Sequence, residues 1–256
     1  MKTTILHGTL SVLIILLAGQ SYAQKTTNNF YDTIKNYDLS TVLMADSIQT
    51  EKEEGGTDKI KRAEILGFIG GDFQRFQIHF TSITKTPKNP YHYFAYGKTM
   101  VKEKVCSFKG TITIEQAKLY RSSDLPTDQQ GFATCEVTLY EDRKEPYSGL
   151  IKGKLTSNFT IDNRKRLRYD ALMLINDSFS NNGFIGTWTS YKTNTSKKCN
   201  WGDYRIPDCG DLDSGTGEFF VSEKYLKNGW VSYMLENEMP NDAVKREKRK
   251  DRNWWE

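Results

Sequence analysis

Three carboxylates lie in or beside predicted strands, and any two of them could form the pair that glycoside hydrolysis needs: Glu136, Asp170 and Glu218. Glycoside hydrolysis needs two carboxyl groups flanking the scissile bond, and the fold can bring these groups together from distant parts of the chain. A charged residue on a half-exposed strand is more often a solvent-facing residue. The sequence therefore leaves a glycan hydrolase as an alternative and assigns no catalytic residue.

Two histidines beyond the N-terminal segment, His79 and His92, could act as general bases because imidazole titrates near neutral pH. His79 shares one face of a predicted strand with Arg75 and Gln77, which indicates an exposed or hydrogen-bonded role. A nucleophile partnered by either histidine would need a signature such as Gly-x-Ser-x-Gly, and the sequence has none. The glycine-rich run at 67–73 leads into a strand, so it predicts a bend and not a phosphate-binding loop. We expect no cofactor.

Four acids fall close together in the stretch 208–218 and suggest a cation site. Calcium favours several carboxylate oxygens that one tight loop brings together. The spacing lacks the alternate ligands and the closing Glu of an EF-hand, so an acidic turn pinned by a disulfide is the preferred interpretation. The acids are Asp208, Asp211, Asp213 and Glu218.

Four cysteines predict two disulfides, because an even number in an exported chain is typical of a compartment where disulfides persist. Cys199 and Cys209 are close in sequence and would close a short loop, which leaves Cys106 and Cys135 for the second bridge. Four cysteines allow three connectivities, and the sequence does not choose among them. A zinc site is the alternative, but the chain has no Cys-x-x-Cys motif. We expect no metal.

Aromatic residues are the candidates for ligand contact. Phe184 and Trp188 fall on one face of a predicted strand, and Tyr93 lies in a second strand rich in aromatic residues. Rings that point into a barrel can line an apolar pocket or stack against sugar rings. The same three residues could instead be ordinary core.

A β fold must position these residues. Beyond residue 62, segments of strand length alternate with clusters of Gly, Asn, Asp, Ser and Pro. No long helical period occurs before residue 242, and the one helix that we expect is the charged end of the chain from Asp242 onward. The Asn-Asn-Gly sequence at 181–183 is typical of a tight hairpin turn. The pattern predicts an all-β antiparallel meander that closes into a calycin-like barrel, with a two-sheet β-sandwich as the alternative. The predicted strands cover 76–80, 91–100, 106–114, 132–140, 149–161, 167–175, 184–192 and 217–221.

The N-terminal residues predict export. Residues 1–23 combine an early lysine, an apolar run and a Ser-Tyr-Ala site, which is the pattern of a secretory signal peptide, and the run is too short for a membrane-spanning helix. We expect a polar N-terminal extension at 24–61, a single β domain at 62–236 and a basic C-terminal tail at 237–256. The protein is then expected in the periplasm, at the cell surface or outside the cell.

Positive charge is concentrated in the tail. The chain has a formal net charge of +4, and residues 245–252 contain six basic and two acidic residues. The β domain is therefore nearly neutral, which argues against nucleic-acid binding. Together with Trp254 and Trp255, the tail has a composition suited to peripheral contact with an anionic membrane or to an acidic partner; a solvated chain end is the alternative.

Several motifs resemble those of uncharacterised exported β-rich proteins from Bacteroidota, a family of unknown function. They are Gly-Phe-Ile-Gly at 67–70, the stretch 72–80, Tyr-Gly-Lys at 96–98, Gly-Thr-Trp at 186–188 and the stretch 200–207. The resemblance covers most of the chain after the predicted leader and implies an envelope or secreted location and a β-rich fold. It supplies no activity and no functional residue. Gly-Thr-Trp is also similar to the Gly-x-Trp strand of lipocalins, but it comes late in this chain and supports only the general idea of a barrel.

The main hypothesis from the sequence is an exported, non-catalytic β-barrel protein. It would bind a small apolar or glycan ligand, or a protein of the cell envelope. An envelope hydrolase that acts on glycans through strand-borne carboxylates is the alternative.

Overall fold

The computed structural model describes residues 26–51, 56–124, 127–238 and 254–256. The predicted leader at 1–23 lies outside these residues, as do most of the basic tail and the helix expected after residue 242. Export therefore stays a prediction. Among the described residues, no helix has the length and apolar character needed to cross a membrane.

Thirteen strands and a few short helices make up the described chain. The strands are β1 (Thr27–Asn29), β2 (Ser47–Glu51), β3 (Thr57–Lys61), β4 (Ile65–Ile69), β5 (Gln74–Arg75), β6 (Gln77–Lys85), β7 (His92–Val101), β8 (Lys104–Tyr120), β9 (Gln129–Glu141), β10 (Gly149–Ile161), β11 (Leu167–Tyr169), β12 (Asn181–Ser190) and β13 (Ser196–Asp203). The α-helices are α1 (Tyr31–Ile34), α2 (Ser40–Leu43) and α3 (Val231–Glu238), and two 3-10 helices cover Gly210–Leu212 and Glu223–Asn228.

Eleven strands form one antiparallel sheet that curls through 220° and stays open. Its order is β5-β4-β13-β12-β10-β9-β8-β7-β6, with β1 added beside β8 and β11 beside β10. The fold is therefore mostly β, as predicted, but the closed barrel is wrong. The chain crosses between the two ends of this order at Phe76, and only the two residues of β5 pair with β4, so the sheet does not close along its length. The two-sheet sandwich is also wrong, since the second sheet in the described chain is only the β2–β3 hairpin.

The concave side of the sheet is filled by the N-terminal segment. Residues 26–51 were expected to belong to a polar extension, yet their apolar side chains enter the main core, and the Leu39 amide donates a hydrogen bond to the Tyr93 hydroxyl at 3.0 Å. Helices of four residues give no periodic signal over several turns, which explains why the sequence pattern did not reveal them. The buried apolar residues of this segment are Phe30, Ile34, Leu39, Val42, Leu43 and Ile48.

A second, smaller core covers the convex side of β4 and β13. Leu66 and Phe68 of β4 point away from the main core and pack against the chain that follows β13. Trp230 is fully buried there, and its indole N–H donates to the Phe73 carbonyl at 2.8 Å. The other buried members of this cluster are Ile206, Leu212, Phe219, Val221 and Met234.

The observed strands differ from the predicted ones before residue 76, where β1 to β5 were not predicted, and near residues 167–221. The predicted strand at 149–161 has the bounds of β10, whereas only the first three residues of the predicted strand at 167–175 are strand. The predicted hairpin turn at 181–183 instead begins β12, where the register with β13 shifts and Asn182 has a φ of 46°. The Asn-rich sequence thus accommodates a bulge and not a turn. At 217–221 there is an isolated bridge between Asp213 and Val221.

The structure contradicts both predicted disulfides, because all four thiols are free. Cys135 lies opposite Ile114 in the β8–β9 ladder, eight positions along β8 from Cys106. That spacing corresponds to about 26 Å, far beyond the reach of a disulfide. Burial raises the pKa of the Cys106 and Cys135 thiols to about 12.

The second pair fails because its two residues lie on opposite faces of β13. Cys199 points into the main core, while its neighbours Lys198 and Asn200 point to the convex side. There the Lys198 ammonium donates to the Asp208 carbonyl at 2.7 Å and the Asn200 amide donates to the Pro207 carbonyl at 2.9 Å. The chain that leads to Cys209 is thus held across the strand from the Cys199 thiol.

Candidate functional site

A cleft of about 650 Å³ lies on the convex face, where β8, β9 and β10 run past their neighbours in the sheet. The pairing of β7 with β8 ends at His92 and Thr113, and the pairing of β12 with β10 ends at Gly183 and Thr156. Beyond these points β1 and β11 pair with β8 and β10 instead. The cleft is lined by Thr26, Thr27, Lys118, Tyr120, Asp124, Gln130, Phe132, Asn158, Asp170, Met173, Phe179 and Ser180.

One cross-strand row forms the centre of the cleft. Lys118, Phe132 and Asn158 lie directly opposite one another on β8, β9 and β10. The row continues to Asp170, whose amide donates to the Asn158 carbonyl at 3.3 Å. Directly opposite side chains in an antiparallel sheet project from the same face, so a cation, a phenyl ring, an amide and a carboxylate line up across the cleft.

Aromatic side chains supply the apolar surface of the cleft. The rings of Tyr120 and Phe132 lie 5.8 Å apart between centroids and are tilted by 42°. Phe179 lies in the segment between β11 and β12, where it makes an edge contact with Tyr204 at 5.2 Å. Met173 of the same segment is 39% exposed. Rings held by such packing offer flat faces on which another ring, including a sugar, can stack.

The polar part of the cleft is held by hydrogen bonds. The buried Gln130 amide donates to the Asp170 carboxylate at 3.0 Å, and the Leu172 amide donates to the other oxygen of that carboxylate at 3.2 Å. The Gln130 side-chain carbonyl in turn accepts from the Asp124 amide at 2.8 Å. These bonds fix Asp170 and Gln130 in place, so the cleft presents polar groups in a defined arrangement.

The structure brings only one of the three predicted acids to the cleft, namely Asp170. Glu136 lies further along the convex face and pairs with Lys152 at 3.3 Å. Glu218 lies in the loop after β13, and its backbone carbonyl accepts from Arg205. The second carboxylate of the cleft belongs to Asp124, which the sequence analysis did not single out.

The three predicted ligand-binding aromatics lie on the concave side of the sheet, away from the cleft. Tyr93 and Phe184 are fully buried in the main core, and Phe184 stacks on Trp201 with 3.6 Å between ring centroids. Trp188 is half-buried, and its indole N–H donates to the Glu141 carboxylate at 2.8 Å. For Tyr93 and Phe184 this environment is the core packing that the sequence left as the alternative.

The Glu141 carboxylate is buried at one end of the concave side and accepts three hydrogen bonds. Besides Trp188, the Thr99 hydroxyl donates at 2.5 Å and the Gly149 amide donates at 2.7 Å. Burial raises the pKa of the Glu141 carboxyl above its usual range, although all three hydrogen bonds favour the ionised form and act in the opposite direction. Ionisation of this group therefore costs more in the folded than in the unfolded chain.

We predict that Glu141→Gln changes how stability depends on pH. Because the folded-state pKa of Glu141 is raised, its favourable contribution is fully present below about pH 4 and is lost as the pH rises through the folded-state pKa. Glutamine stays neutral, so the variant should gain stability relative to the wild type as the pH increases towards neutrality. Denaturant unfolding of both proteins across this range measures the difference. A difference that is constant with pH would contradict the assigned direction.

A second buried carboxylate, Asp203, joins three strands and the loop between β3 and β4. Its Oδ2 atom accepts from the Tyr169 hydroxyl at 3.0 Å and from the Asn182 amide at 2.8 Å, and the Arg62 guanidinium lies 3.9 Å away. The Oδ1 atom is buried without a hydrogen-bond partner. Burial raises the pKa of Asp203, while Arg62 and the two hydrogen bonds oppose this shift. The group lies in the core and not in the cleft.

The two histidines do not meet a nucleophile in the described chain. His79 stacks on Trp255 with 3.9 Å between ring centroids, and Lys98, directly opposite it, donates to the Glu256 carbonyl at 2.9 Å. Burial and the nearby Arg62 lower the pKa of His79. His92 makes an edge contact with Phe94. The last three residues of the expected basic tail therefore lie against β6 and β7.

The acidic stretch 208–218 forms ion pairs. Asp208 pairs with Lys198 at 2.6 Å, Asp213 pairs with Arg205 at 2.5 Å, and Asp211 pairs with Lys224. Each of these carboxylates thus has a cationic side chain as its neighbour. Within the described ranges, no group of three or more His, Cys, Asp or Glu residues is placed to hold a metal ion.

Most residues of the cleft were not predicted from the sequence. Phe132 begins a predicted strand, but its face was not assigned, and the predicted strand at 106–114 stopped short of Lys118 and Tyr120. Lys118 and Tyr120 alternate with Leu119, and this alternation is the signal from which a longer strand could have been predicted. Phe179 lies outside regular structure, where periodicity gives no information.

Comparisons of the chain with protein-family models, with curated proteins and with solved structures find no match.

Proposed function

We propose that the protein is an exported, non-catalytic binding protein whose convex cleft holds a glycan. The observation that supports this most is the cross-strand row in which Phe132 lies between Lys118 and Asn158, with Asp170 at its end. A sugar ring has apolar C–H faces and a rim of hydroxyl groups. An aromatic ring with a cation, an amide and a carboxylate around it matches both parts of that ligand.

The composition of the cleft favours a glycan over a purely apolar ligand. Pockets for apolar ligands are lined mostly by hydrophobic side chains and contain few polar groups. Here the aromatic residues and Met173 share the lining with hydroxyl, amide, carboxylate and ammonium groups. An apolar ligand would remove water from these polar groups and would offer them no hydrogen bonds in return, which costs binding free energy.

We predict that Phe132→Ala weakens glycan binding by about tenfold or more, since a central aromatic contact in a binding site typically contributes about 2 kcal/mol. The measurement is affinity electrophoresis of the purified protein in gels that contain laminarin, xylan, mannan or starch. Binding is expected to appear as retarded migration of the wild type in at least one gel and as weaker retardation of the variant.

Tyr147→Ala is the matched control, because Tyr147 is 77% exposed in the loop between β9 and β10 and lies outside the cleft. Its migration should equal that of the wild type. Equal loss for both variants, or retention of the Phe132→Ala variant at the wild-type level, would contradict the assignment of the cleft.

The hydrolase alternative has one supporting observation, which is that Asp124 and Asp170 line the same cleft. Two carboxyl groups on either side of a bound sugar are what glycoside hydrolysis requires. Release of new reducing ends during incubation with any of the four polysaccharides would therefore replace the non-catalytic proposal with a hydrolase.

A further inference from the structure

The cleft is one end of a longer convex surface. Along β9, every second residue from Phe132 to Tyr140 points to this side, while the residues between them are buried in the main core. The eight positions from Phe132 to Tyr140 correspond to about 26 Å along the strand. A ligand that follows β9 from the cleft would therefore reach a second region of the same face.

A second aromatic platform lies at that far end. Tyr96, Lys109, Tyr140 and Leu150 lie directly opposite one another on β7, β8, β9 and β10. Tyr96 and Tyr140 are 48% and 49% exposed, which is unusual for two large rings in the same row of a sheet. Phe94, in the adjacent row of β7, is 47% exposed. The platform thus repeats the combination of aromatic rings and a lysine that characterises the cleft.

The surface between the two aromatic regions is polar. Lys152 pairs there with Glu136 at 3.3 Å, and Lys154 pairs with Glu115 at 2.6 Å. Pairing keeps the net charge of this surface low, and the paired groups retain oxygen and nitrogen atoms that can bond to hydroxyl groups. Threonines on the same face include Thr111, Thr113, Thr134, Thr138 and Thr156.

We infer that this surface binds a linear glycan lengthwise, with one part of the chain in the cleft and another on the platform of Tyr96 and Tyr140. The inference rests on the proposed function and specifies its ligand as a polymer. A compact ligand would contact only one of two aromatic regions separated by about 26 Å. A linear chain contacts both, and the row of hydroxyl and charged side chains between them follows its path.

The test compares short and long ligands of one series. The double variant Tyr96→Ala/Tyr140→Ala is titrated in a calorimeter with laminarin, xylan, mannan and starch, and with the disaccharide of each. We expect the affinity for the polymer that the wild type binds to fall on the order of tenfold, and the affinity for its disaccharide to stay the same. Phe132→Ala is expected to weaken the binding of both. Tyr147→Ala serves again as the exposed-tyrosine control.

The outcomes separate the two proposals. If the double variant binds the polymer as well as the wild type, or loses affinity for polymer and disaccharide equally, the extended surface is refuted. The cleft then stands only if Phe132→Ala weakens binding of the disaccharide. If the wild type binds none of the four polysaccharides, both proposals fail. The melting temperature of each variant shows whether it is folded, and the single variant Tyr140→Ala provides the same comparison if the double variant is not.

Discussion

Replacing Asp203 with alanine is expected to lower the free energy of unfolding by about 3–5 kcal/mol. The carboxylate is fully buried and accepts hydrogen bonds from Tyr169 and Asn182, with Arg62 beside it. Alanine removes the carboxylate, so the Tyr169 hydroxyl and the Asn182 amide lose their acceptor and the Arg62 guanidinium loses its counter-charge in the core. Urea denaturation of the variant and the wild type, followed by tryptophan fluorescence, measures the change.

Asp203→Asn is the matched control, because its side-chain oxygen can still accept from Tyr169 and Asn182. We expect a much smaller loss than for alanine. Burial raises the pKa of Asp203, so the stabilising contribution of the protonated acid is lost as the pH rises through the folded-state value, whereas asparagine does not titrate. The stability of the asparagine variant relative to the wild type should therefore be most favourable at high pH. An alanine variant as stable as the asparagine variant would show that the hydrogen bonds contribute nothing.

Trp201→Ala is expected to lower the free energy of unfolding by about 3–5 kcal/mol, the usual cost of removing a large aromatic side chain from a core. Trp201 is 2% exposed and lies between two other rings, with 3.6 Å to the Phe184 centroid and 6.0 Å to the Phe76 centroid. These rings come from β12 and from the crossing point of the sheet, so the cavity would lie where the two ends of the sheet approach each other. Guanidinium unfolding measures the loss.

Trp201→Phe tests whether stacking or volume dominates, since phenylalanine keeps a ring against Phe184. It should cost less than alanine. Phe220→Ala removes a ring that is 40% exposed and should have little effect. If Trp201→Ala and Phe220→Ala destabilise the protein equally, Trp201 is not a central part of the core.

The alternation of apolar and polar residues predicted the long strands in the middle of the sheet, such as β10. It did not predict strands whose pairing depends on residues distant in sequence. The bounds of β10 follow from its own alternation of apolar and polar residues. By contrast, the sequence predicted a short disulfide loop from Cys199 and did not predict β13. The last five residues of β13 are all buried, on both faces, which removes the alternation. Whether the sheet closes depends on the two-residue pairing of β5 with β4, which no local pattern encodes.

The candidate site shows the same limit. Asp170 could be selected from the sequence because it is a carboxylate within the predicted strand at 167–175. Its neighbours in the cleft, however, depend on how the strands are aligned with one another. Lys118, Phe132 and Asn158 become a row only when three strands are aligned, and a shift by one residue would turn each side chain to the other face. Glu136 and Glu218 were equally good candidates from the sequence for a catalytic carboxylate, but they lie outside the cleft.

The pairing of β4 with β13 has a consequence for how the chain reaches its folded state. β4 is among the first strands of the large sheet to be synthesised, and β13 is the last. Until β13 arrives, the buried rows of β4 have no neighbour on that side, and its backbone presents an open edge. Contacts between residues so distant in sequence slow folding, and until they form the unpaired edge of β4 is prone to aggregation. β4 therefore waits longer for this partner than any other strand of the sheet waits for its own, and its edge needs protection while the rest of the chain is synthesised.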